Sequence, residues 1–113
     1  MATRFKLVFF SPKESTTSIL SHLFAKHPQT VGRIGNYQSC AFVTPGVGQF
    51  LASDGAKPAI GAVGELERVD EDKVEVVVRD EGESREITEA ITALKEVRPY
   101  EEVAYEVYRM EPF

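Results

Sequence analysis

The sequence contains one cysteine, no tryptophan and no long apolar run. A single thiol, Cys40, cannot form an intramolecular disulfide, so nothing indicates an oxidising compartment. A membrane-spanning helix needs about 18 or more consecutive apolar residues, and no stretch approaches that length. The start of the chain also lacks the apolar stretch and small-residue cleavage site of a signal peptide. We therefore expect a cytoplasmic or nucleocytoplasmic protein that does not enter a membrane.

Basic residues are also scarce: 13 lysines and arginines stand against 18 acidic residues, and the net charge is −5. Proteins that bind nucleic acid usually carry a basic excess that neutralises phosphates, so nucleic acid is disfavoured as a partner. Hydrophobic residues make up 42 % of the 113 residues, which is enough for one core without disulfides. The composition predicts a single domain over residues 1–113.

Five segments have clear secondary-structure patterns. Residues 5–10 and 73–79 alternate between two faces, as strands do. Residues 15–26 and 84–96 carry apolar side chains at helical spacing, and each begins with a hydroxyl residue that can cap a helix. Residues 103–109 form the last predicted strand.

The middle of the chain is rich in glycine and is harder to divide. Turn-forming residues interrupt it repeatedly, so we predict short strands separated by turns. The predicted pieces are a hairpin with arms 38–44 and 48–51 that turns at Pro45-Gly46, a loop excursion over 53–64, a short strand over 65–70, and a turn at Glu71-Asp72.

Merging the middle strands leaves the order βαββαβ, which is the split βαβ plan of ferredoxin-like domains. We predict an α+β fold in which two helices cover one face of an antiparallel sheet, with an inserted hairpin.

The second face of this predicted sheet carries many apolar side chains. A sheet face exposed to water is expected to be polar, and a contiguous apolar patch usually marks a partner surface. We predict self-association, as a trimer or dimer, through this face; the alternative is that the inserted hairpin folds over it. The predicted interface residues are Val8, Phe10, Val77, Ala104, Glu106 and Tyr108.

The most distinctive local stretch is residues 32–37, in which two glycines enclose an arginine. Glycine permits positive φ and close backbone approach, so this stretch is either a structural turn or a loop that binds a small anion. It matches neither a dinucleotide fingerprint nor a P-loop, and the acidic chain argues against a nucleic-acid clamp. The predicted ligand-binding residues are Gly32, Arg33, Gly35, Asn36 and Tyr37, with Tyr100 and Glu102 as neighbours.

No cofactor, metal site or catalytic residue is predicted. His22 and His27 are five residues apart and do not share a helix face, so they make a poor metal pair. Cys40 is predicted to be a buried, inert thiol within a strand. Glu102 and Glu106 share a predicted strand face, and we interpret them as exposed charges at the rim of an oligomer.

Four blocks of the sequence stand in the order and near the spacing of a known family. Together they extend over about residues 4–109, and the set resembles the insert domain of Nif-three-like (YqfO-type) proteins. The blocks are residues 32–40 (GRIGNYQSC), 48–50 (GQF), 61–67 (GAVGELE) and 99–108 (PYEEVAYEVY).

The resemblance implies a ferredoxin-like domain similar to the trimeric CutA and PII signalling proteins, in which clefts between subunits hold ligands. In long family members the domain interrupts a larger α/β protein with a two-metal centre, often called a type-two GTP cyclohydrolase. This chain resembles a stand-alone version of the insert, and the metal ligands belong to the flanking parts. Two positions depart from the family pattern: Arg98 stands where histidine usually precedes Pro-Tyr-Glu-Glu, and Gln38 where aspartate often stands.

The leading hypothesis is therefore a small oligomeric binding or regulatory module without intrinsic catalysis, with a small anion as one candidate ligand. A first alternative is an adaptor that binds another protein and is linked, through the family's name, to transcriptional regulation. A second alternative is a metal-dependent hydrolase, which needs histidine and carboxylate clusters that the sequence lacks.

Overall fold

The computed structural model describes residues 2–113 and contains the predicted order βαββαβ. The four strands form one antiparallel sheet in the order β2-β3-β1-β4, and the prediction of a ferredoxin-like α+β fold is confirmed. A short 3-10 helix, Lys13–Ser15, precedes α1. The elements are β1 (Thr3–Pro12), α1 (Thr16–Lys26), β2 (Phe42–Leu51), β3 (Leu66–Asp80), α2 (Arg85–Glu96) and β4 (Tyr105–Arg109).

The hydrophobic core lies between the two helices and one face of the sheet. Alternate residues of β1 and β3 point into it because successive strand side chains point to opposite faces. The helices contribute residues spaced three or four apart, which is the spacing of one helix face. The most deeply buried members are Leu7, Phe9, Ile19, Leu23, Val31, Val74, Val78, Ala90, Ala93 and Leu94.

The predicted hairpin turn at Pro45-Gly46 is wrong, because β2 continues through both residues. Pro45 pairs with Asp72 and Gly46 pairs with Glu71 in an unbroken register. Proline lacks a backbone N–H, but β2 is an edge strand, and an edge position tolerates proline. The turn signal was therefore overridden by pairing with β3.

The predicted turn at Glu71-Asp72 is also wrong, because these residues lie inside the single strand β3. Asp72 is buried, and its Oδ2 accepts a 2.7 Å hydrogen bond from the Thr16 hydroxyl at the start of α1. The Thr16 hydroxyl is also 2.7 Å from the Ser11 hydroxyl. A run of acidic residues suggests a solvated turn, but here one carboxylate ties β3 to the start of α1.

The start of α2 is capped by Asp80 rather than by Ser84, the hydroxyl residue predicted to cap it. Ser84 has a positive φ of 61° and makes no side-chain cap bond. The carboxylate of the buried Asp80 instead accepts hydrogen bonds from the N–H groups of Ile87 at 3.0 Å, Gly82 at 2.8 Å and Ser84 at 3.0 Å. Burial alone would raise the pKa of Asp80, but these hydrogen bonds outweigh it and lower that pKa below its ordinary value.

The second sheet face carries no helix, and we call it the open face. The register aligns its side chains in rows across β3, β1 and β4: Val77 with Lys6 and Tyr108, and then Glu75 with Val8 and Glu106. Beyond the end of β1, residues 47–51 of β2 and 66–70 of β3 continue as a two-stranded arm, which ends in a loop over residues 52–65. Neither helix within residues 2–113 is long and apolar enough to cross a membrane.

Candidate functional site

A cavity of about 750 Å³ lies at the end of the open face where the arm begins. Its floor is formed by β1, β2 and β3, including Phe10, Thr44 and Lys73. Two loops form its walls: residues 52–60, which follow β2, and residues 100–104, which precede β4. This volume falls in the range of small-molecule sites, and most of the lining is apolar, as such sites require.

A hydrogen bond joins the two loops. The backbone N–H of Lys57 donates a 2.8 Å hydrogen bond to Glu101 Oε1. Neither loop contains a helix or a strand, so this bond helps to hold them together. The first of the two loops lines the cavity with small and apolar side chains such as Ala56, Pro58 and Ile60.

Tyr100 and Glu71 form the main polar pair in the cavity. The Tyr100 hydroxyl donates a 2.6 Å hydrogen bond to Glu71 Oε2. Burial, followed by the hydrogen bond and charge of Glu71, raises the pKa of Tyr100 well above its ordinary value, so the phenol stays protonated and remains a donor. A carboxylate accepts more than one hydrogen bond, so Glu71 retains acceptor capacity for a bound molecule.

Gly48 allows the Glu71 side chain to lie over the backbone of β2. A Cβ at this position would collide with both the Oε1 and the carboxyl carbon of Glu71. The missing side chain is therefore needed for the position of Glu71, which in turn holds Tyr100. The sequence does carry a signal for this site: Glu71 has the same strand parity as Lys73, Glu75 and Val77, and so faces the open side.

The predicted interface residues share the open face, but they are not equally accessible. Tyr108 is 53 % exposed, whereas Val8 is only 3 % exposed in the single chain and has little surface left to bury against a partner. Val8 lies on a central strand between the row partners Glu75 and Glu106, which flank it on both sides. Phe10 and Ala104 line the cavity, so the cavity opens on the predicted interface.

The structure does not bring the glycine stretch together with Tyr100 and Glu102. Arg33 and Gly35 line a separate concavity of about 200 Å³, while Tyr100 and Glu102 line the large cavity. The first is attached to β3 through the Gly32 N–H, which donates to Val77 O at 2.8 Å. The large cavity is instead attached to β3 through Glu71. Glu71 lies six residues before Val77 in the strand, so the two attachment points are about 20 Å apart along the extended chain.

The glycine stretch itself folds as a tight turn. Ile34 and Tyr37 exchange two backbone hydrogen bonds of 2.9 Å, with Gly35 at a φ of 58° and Asn36 in the turn between them. Gly32 has a φ of 75°, and a Cβ there would collide with the Phe24 ring. Gly32 is thus needed for close packing, Gly35 suits the left-handed backbone of the turn, and the assignment of the stretch to a ligand stays a prediction.

Two other predictions differ from the structure: the strand position of Cys40 and the strand face shared by Glu102 and Glu106, although both glutamates are exposed as expected. Cys40 lies before β2 rather than within a strand, because β2 begins only at Phe42, and it is half-buried. Glu102 precedes β4, so strand alternation does not apply to it, whereas Glu106 accepts a 2.9 Å hydrogen bond from the Tyr108 hydroxyl. That bond, followed by the charge of Glu106, raises the pKa of Tyr108.

The two histidines contact different carboxylates of α2. His22 Nε2 lies 3.2 Å from Glu96 Oε1, which also accepts a 2.6 Å bond from Lys26. His27 Nδ1 lies 3.9 Å from Glu89 Oε2. Among residues 2–113, no three histidine, cysteine, aspartate or glutamate side chains are grouped closely enough to hold a metal ion.

Comparison with known proteins gives extensive matches. The chain is 40 % identical over 107 residues to a GTP cyclohydrolase 1 type 2 homolog of Mycobacterium tuberculosis, covering 95 % of this chain and 26 % of that protein. It is 42 % identical over 106 residues to the protein of the same name from Bacillus subtilis, covering 94 % of this chain and 26 % of that one. The chain thus spans about a quarter of the length of these relatives. No protein-family model matches it.

Solved structures agree with the sequence matches. A Bacillus cereus protein related to NIF3 superposes with a TM-score of 0.78 and 31 % identity, over 99 % of this chain and 27 % of that one. The periplasmic divalent cation tolerance protein CutA from Archaeoglobus fulgidus superposes with a TM-score of 0.58 and 15 % identity, over 100 % of this chain and 87 % of that one, which shows a shared fold. The sequence resemblance is thereby confirmed: the chain is similar over nearly its whole length to a segment of the Nif-three-like proteins, and it shares the fold of CutA.

Proposed function

We propose that this chain is a small-molecule-binding module that self-associates through its open face and has no catalytic activity of its own. The cavity between residues 52–60 and 100–104 is the observation that carries the proposal. It combines an apolar lining with a preformed polar pair, Tyr100 and Glu71, and this combination is typical of sites that bind small organic molecules.

The chemistry of the cavity favours a molecule with an apolar body and a hydrogen-bond donor. Phe10, Phe50 and Leu51 supply apolar surface for the body. Glu71 supplies an acceptor, and Glu101 and Glu102 add two further carboxylates to the lining. Lys73 is the one basic side chain in the lining, so the cavity has an acidic excess and favours a neutral or positively charged group.

Self-association is proposed on the remaining open face. Tyr108 on this face and Phe42 on β2 are more than half exposed, at 53 % and 67 %. Phe42 is the register partner of Glu75 and so belongs to the same row as Val8 and Glu106. Exposed aromatic side chains on a sheet face without helices are a surface that a second copy would bury.

Two variants test the two halves of the proposal separately. Ala104→Phe places a ring in the cavity and should abolish the fluorescence increase that the neutral apolar dye Nile red shows with the unmodified protein. Tyr108→Glu places a charge on the open face and should convert the oligomer to a monomer in analytical ultracentrifugation. Ser21→Glu, on the exposed surface of α1, is the matched control and should change neither measurement.

Native mass spectrometry of untagged protein reports assembly and retained molecules together. A closed oligomer with a bound organic mass supports both halves. A monomer that retains no molecule and does not increase Nile red fluorescence contradicts both halves. That result favours the adaptor hypothesis, in which the open face or the arm contacts another protein. A monomer that binds the dye retains the cavity and rejects self-association.

A further inference from the structure

At the opposite end of the open face from the cavity, three arginines surround a small concavity. Arg4 and Arg79 are direct register partners on β1 and β3, and both are exposed. Arg33, from the glycine stretch, completes the group. The concavity has a volume of about 200 Å³, and Ile34, Gly35 and Val77 contribute to its walls.

The loop that carries Arg33 is attached to the edge of β3 that β2 leaves unpaired. The backbone N–H of Arg79 donates a hydrogen bond to Thr30 O at 2.8 Å, and the backbone N–H of Gly32 donates one to Val77 O at 2.8 Å. These two bonds place the loop beside Arg79, although the two arginines are 46 positions apart in the chain. The arrangement is therefore formed by tertiary contacts and not by a local sequence motif.

Within residues 2–113, no carboxylate lies within 4.0 Å of any of the three guanidinium groups. The ion pairs found within residues 2–113 involve other basic side chains, and none involves these arginines. The adjacent Asp80 is buried on the core face, where it caps α2. Like charges directly opposite each other on neighbouring strands are destabilising, so this grouping lowers the stability of the empty chain.

Arg33 is held in place by neutral acceptors only. Its Nε donates to Gly35 O at 3.0 Å and its Nη1 donates to Gln29 Oε1 at 2.6 Å. A guanidinium has five N–H donors, so others remain for a ligand. Its charge is not neutralised by the two neutral acceptors, and the side chain is oriented before any ligand binds.

We propose that Arg4, Arg33 and Arg79 form a binding site for a phosphate group, either free or at the end of a small phosphorylated molecule. Planar guanidinium groups bind phosphate oxygens in pairs of parallel hydrogen bonds, and a multiply charged oxyanion neutralises several of them at once. The concavity is far smaller than the large cavity, which matches a phosphate or diphosphate and leaves a larger organic part outside. This site is separate from the proposed cavity and does not depend on it.

The test measures the melting temperature of the protein and its binding of three ligands: pyrophosphate, inorganic phosphate and a simple phosphomonoester. Sodium chloride at matched ionic strength is the control for each ligand. Pyrophosphate should raise the melting temperature of the unmodified protein in a saturable manner, beyond the effect of chloride. Arg79→Gln should weaken binding by about tenfold or more. Without ligand, the same variant should melt at an equal or higher temperature, because the repulsion from Arg4 is removed. A purely structural arginine would give the opposite shift.

Arg85→Gln is the matched control, because it removes one positive charge from the exposed start of α2. It should leave pyrophosphate binding unchanged. Tighter binding of the phosphomonoester than of inorganic phosphate would identify the ligand as a phosphorylated molecule, and the reverse order would identify the free ion. The proposal is overturned if pyrophosphate raises the melting temperature no more than chloride does. It is also overturned if Arg79→Gln binds pyrophosphate as tightly as the unmodified protein.

One further outcome assigns the arginines to a different occupant. If Arg79→Gln abolishes the oligomer while pyrophosphate has no saturable effect, the arginines contact carboxylates of a second copy and the phosphate site is rejected. Nile red fluorescence and the sedimentation of Tyr108→Glu report on the cavity and on the rest of the open face. Failure of the phosphate site is thus distinguishable from failure of the proposed function.

Discussion

The Tyr100 hydroxyl donates a 2.6 Å hydrogen bond to Glu71, 29 positions earlier in the chain. This bond joins the loop before β4 to a residue in the middle of β3, on the open face that forms the floor of the cavity. The sequence pattern predicts that Tyr100 contacts a ligand together with the glycine stretch and that Glu71 lies in a turn. The structure pairs these two residues, and they determine how the polar end of the cavity is arranged.

Removal of the Tyr100 hydroxyl should lower stability in a pH-dependent way. Tyr100→Phe is expected to cost about 1.5–3 kcal/mol near neutral pH, the range for a hydrogen bond to a charged group. Because the pKa is raised on folding, the contribution is complete below about pH 10 and declines as the pH rises above it. Urea unfolding of both proteins at pH 7 and pH 11 measures this difference.

The control for that measurement is Tyr37→Phe. Tyr37 is 76 % exposed, and its hydroxyl makes no hydrogen bond within residues 2–113. It should have a negligible effect at pH 7. A Tyr100→Phe variant as stable as unmodified protein at pH 7 would contradict the importance of the bond to Glu71.

Asp80 should be essential for the start of α2. Asp80→Asn retains one oxygen but loses the charge, and we expect a loss of about 1.5–3 kcal/mol at pH 7. The pKa of Asp80 is lowered on folding, so its contribution is present above about pH 4 and is lost as the pH falls below that value. Denaturant unfolding between pH 3 and pH 7 should therefore show the two proteins converging at acid pH.

Asp54→Asn, in the exposed loop after β2, provides the corresponding control and should be neutral. Ser84→Ala should also cost little, because Ser84 makes no side-chain cap bond. A large loss from Ser84→Ala with none from Asp80→Asn would reverse the assignment of the cap.

Two glycines of the same stretch provide a matched pair. Both have positive φ, but a Cβ at Gly32 meets Phe24 and lies 3.0 Å from Cys40 O, while a Cβ at Gly35 meets nothing within 4 Å. Gly35→Ala should cost about 1–2 kcal/mol from backbone conformation alone. Gly32→Ala should cost about 1–3 kcal/mol more because of the collision. Equal losses would show that Phe24 moves away without penalty.

The protein is expected to purify without a stoichiometric divalent metal. His22 and His27 are each engaged with a different carboxylate of α2, so they do not converge on one ion. Elemental analysis by inductively coupled plasma mass spectrometry is the measurement. A metal retained in a one-to-one ratio after dialysis would revive the metal-dependent hydrolase hypothesis.

The sequence by itself determined the order of the elements and the two faces of the sheet. Alternation in β1 separates Phe5, Leu7 and Phe9 from Val8 and Phe10, and helical spacing places the apolar faces of α1 and α2. These patterns repeat with the period of a strand or a helix, so they can be read locally. The family blocks added the CutA-like fold, which the structural comparison confirmed.

Only the tertiary structure decided where the strands end and which distant residues meet. Pairing with β3 carried β2 through Pro45, and burial against α2 made Asp80 a cap. Attachment of the glycine stretch beside β3 grouped Arg33 with Arg79 and left Tyr100 at the other end of the strand. Each outcome depends on contacts between residues distant in the chain, because a local pattern specifies how a segment is oriented but not which segment lies beside it.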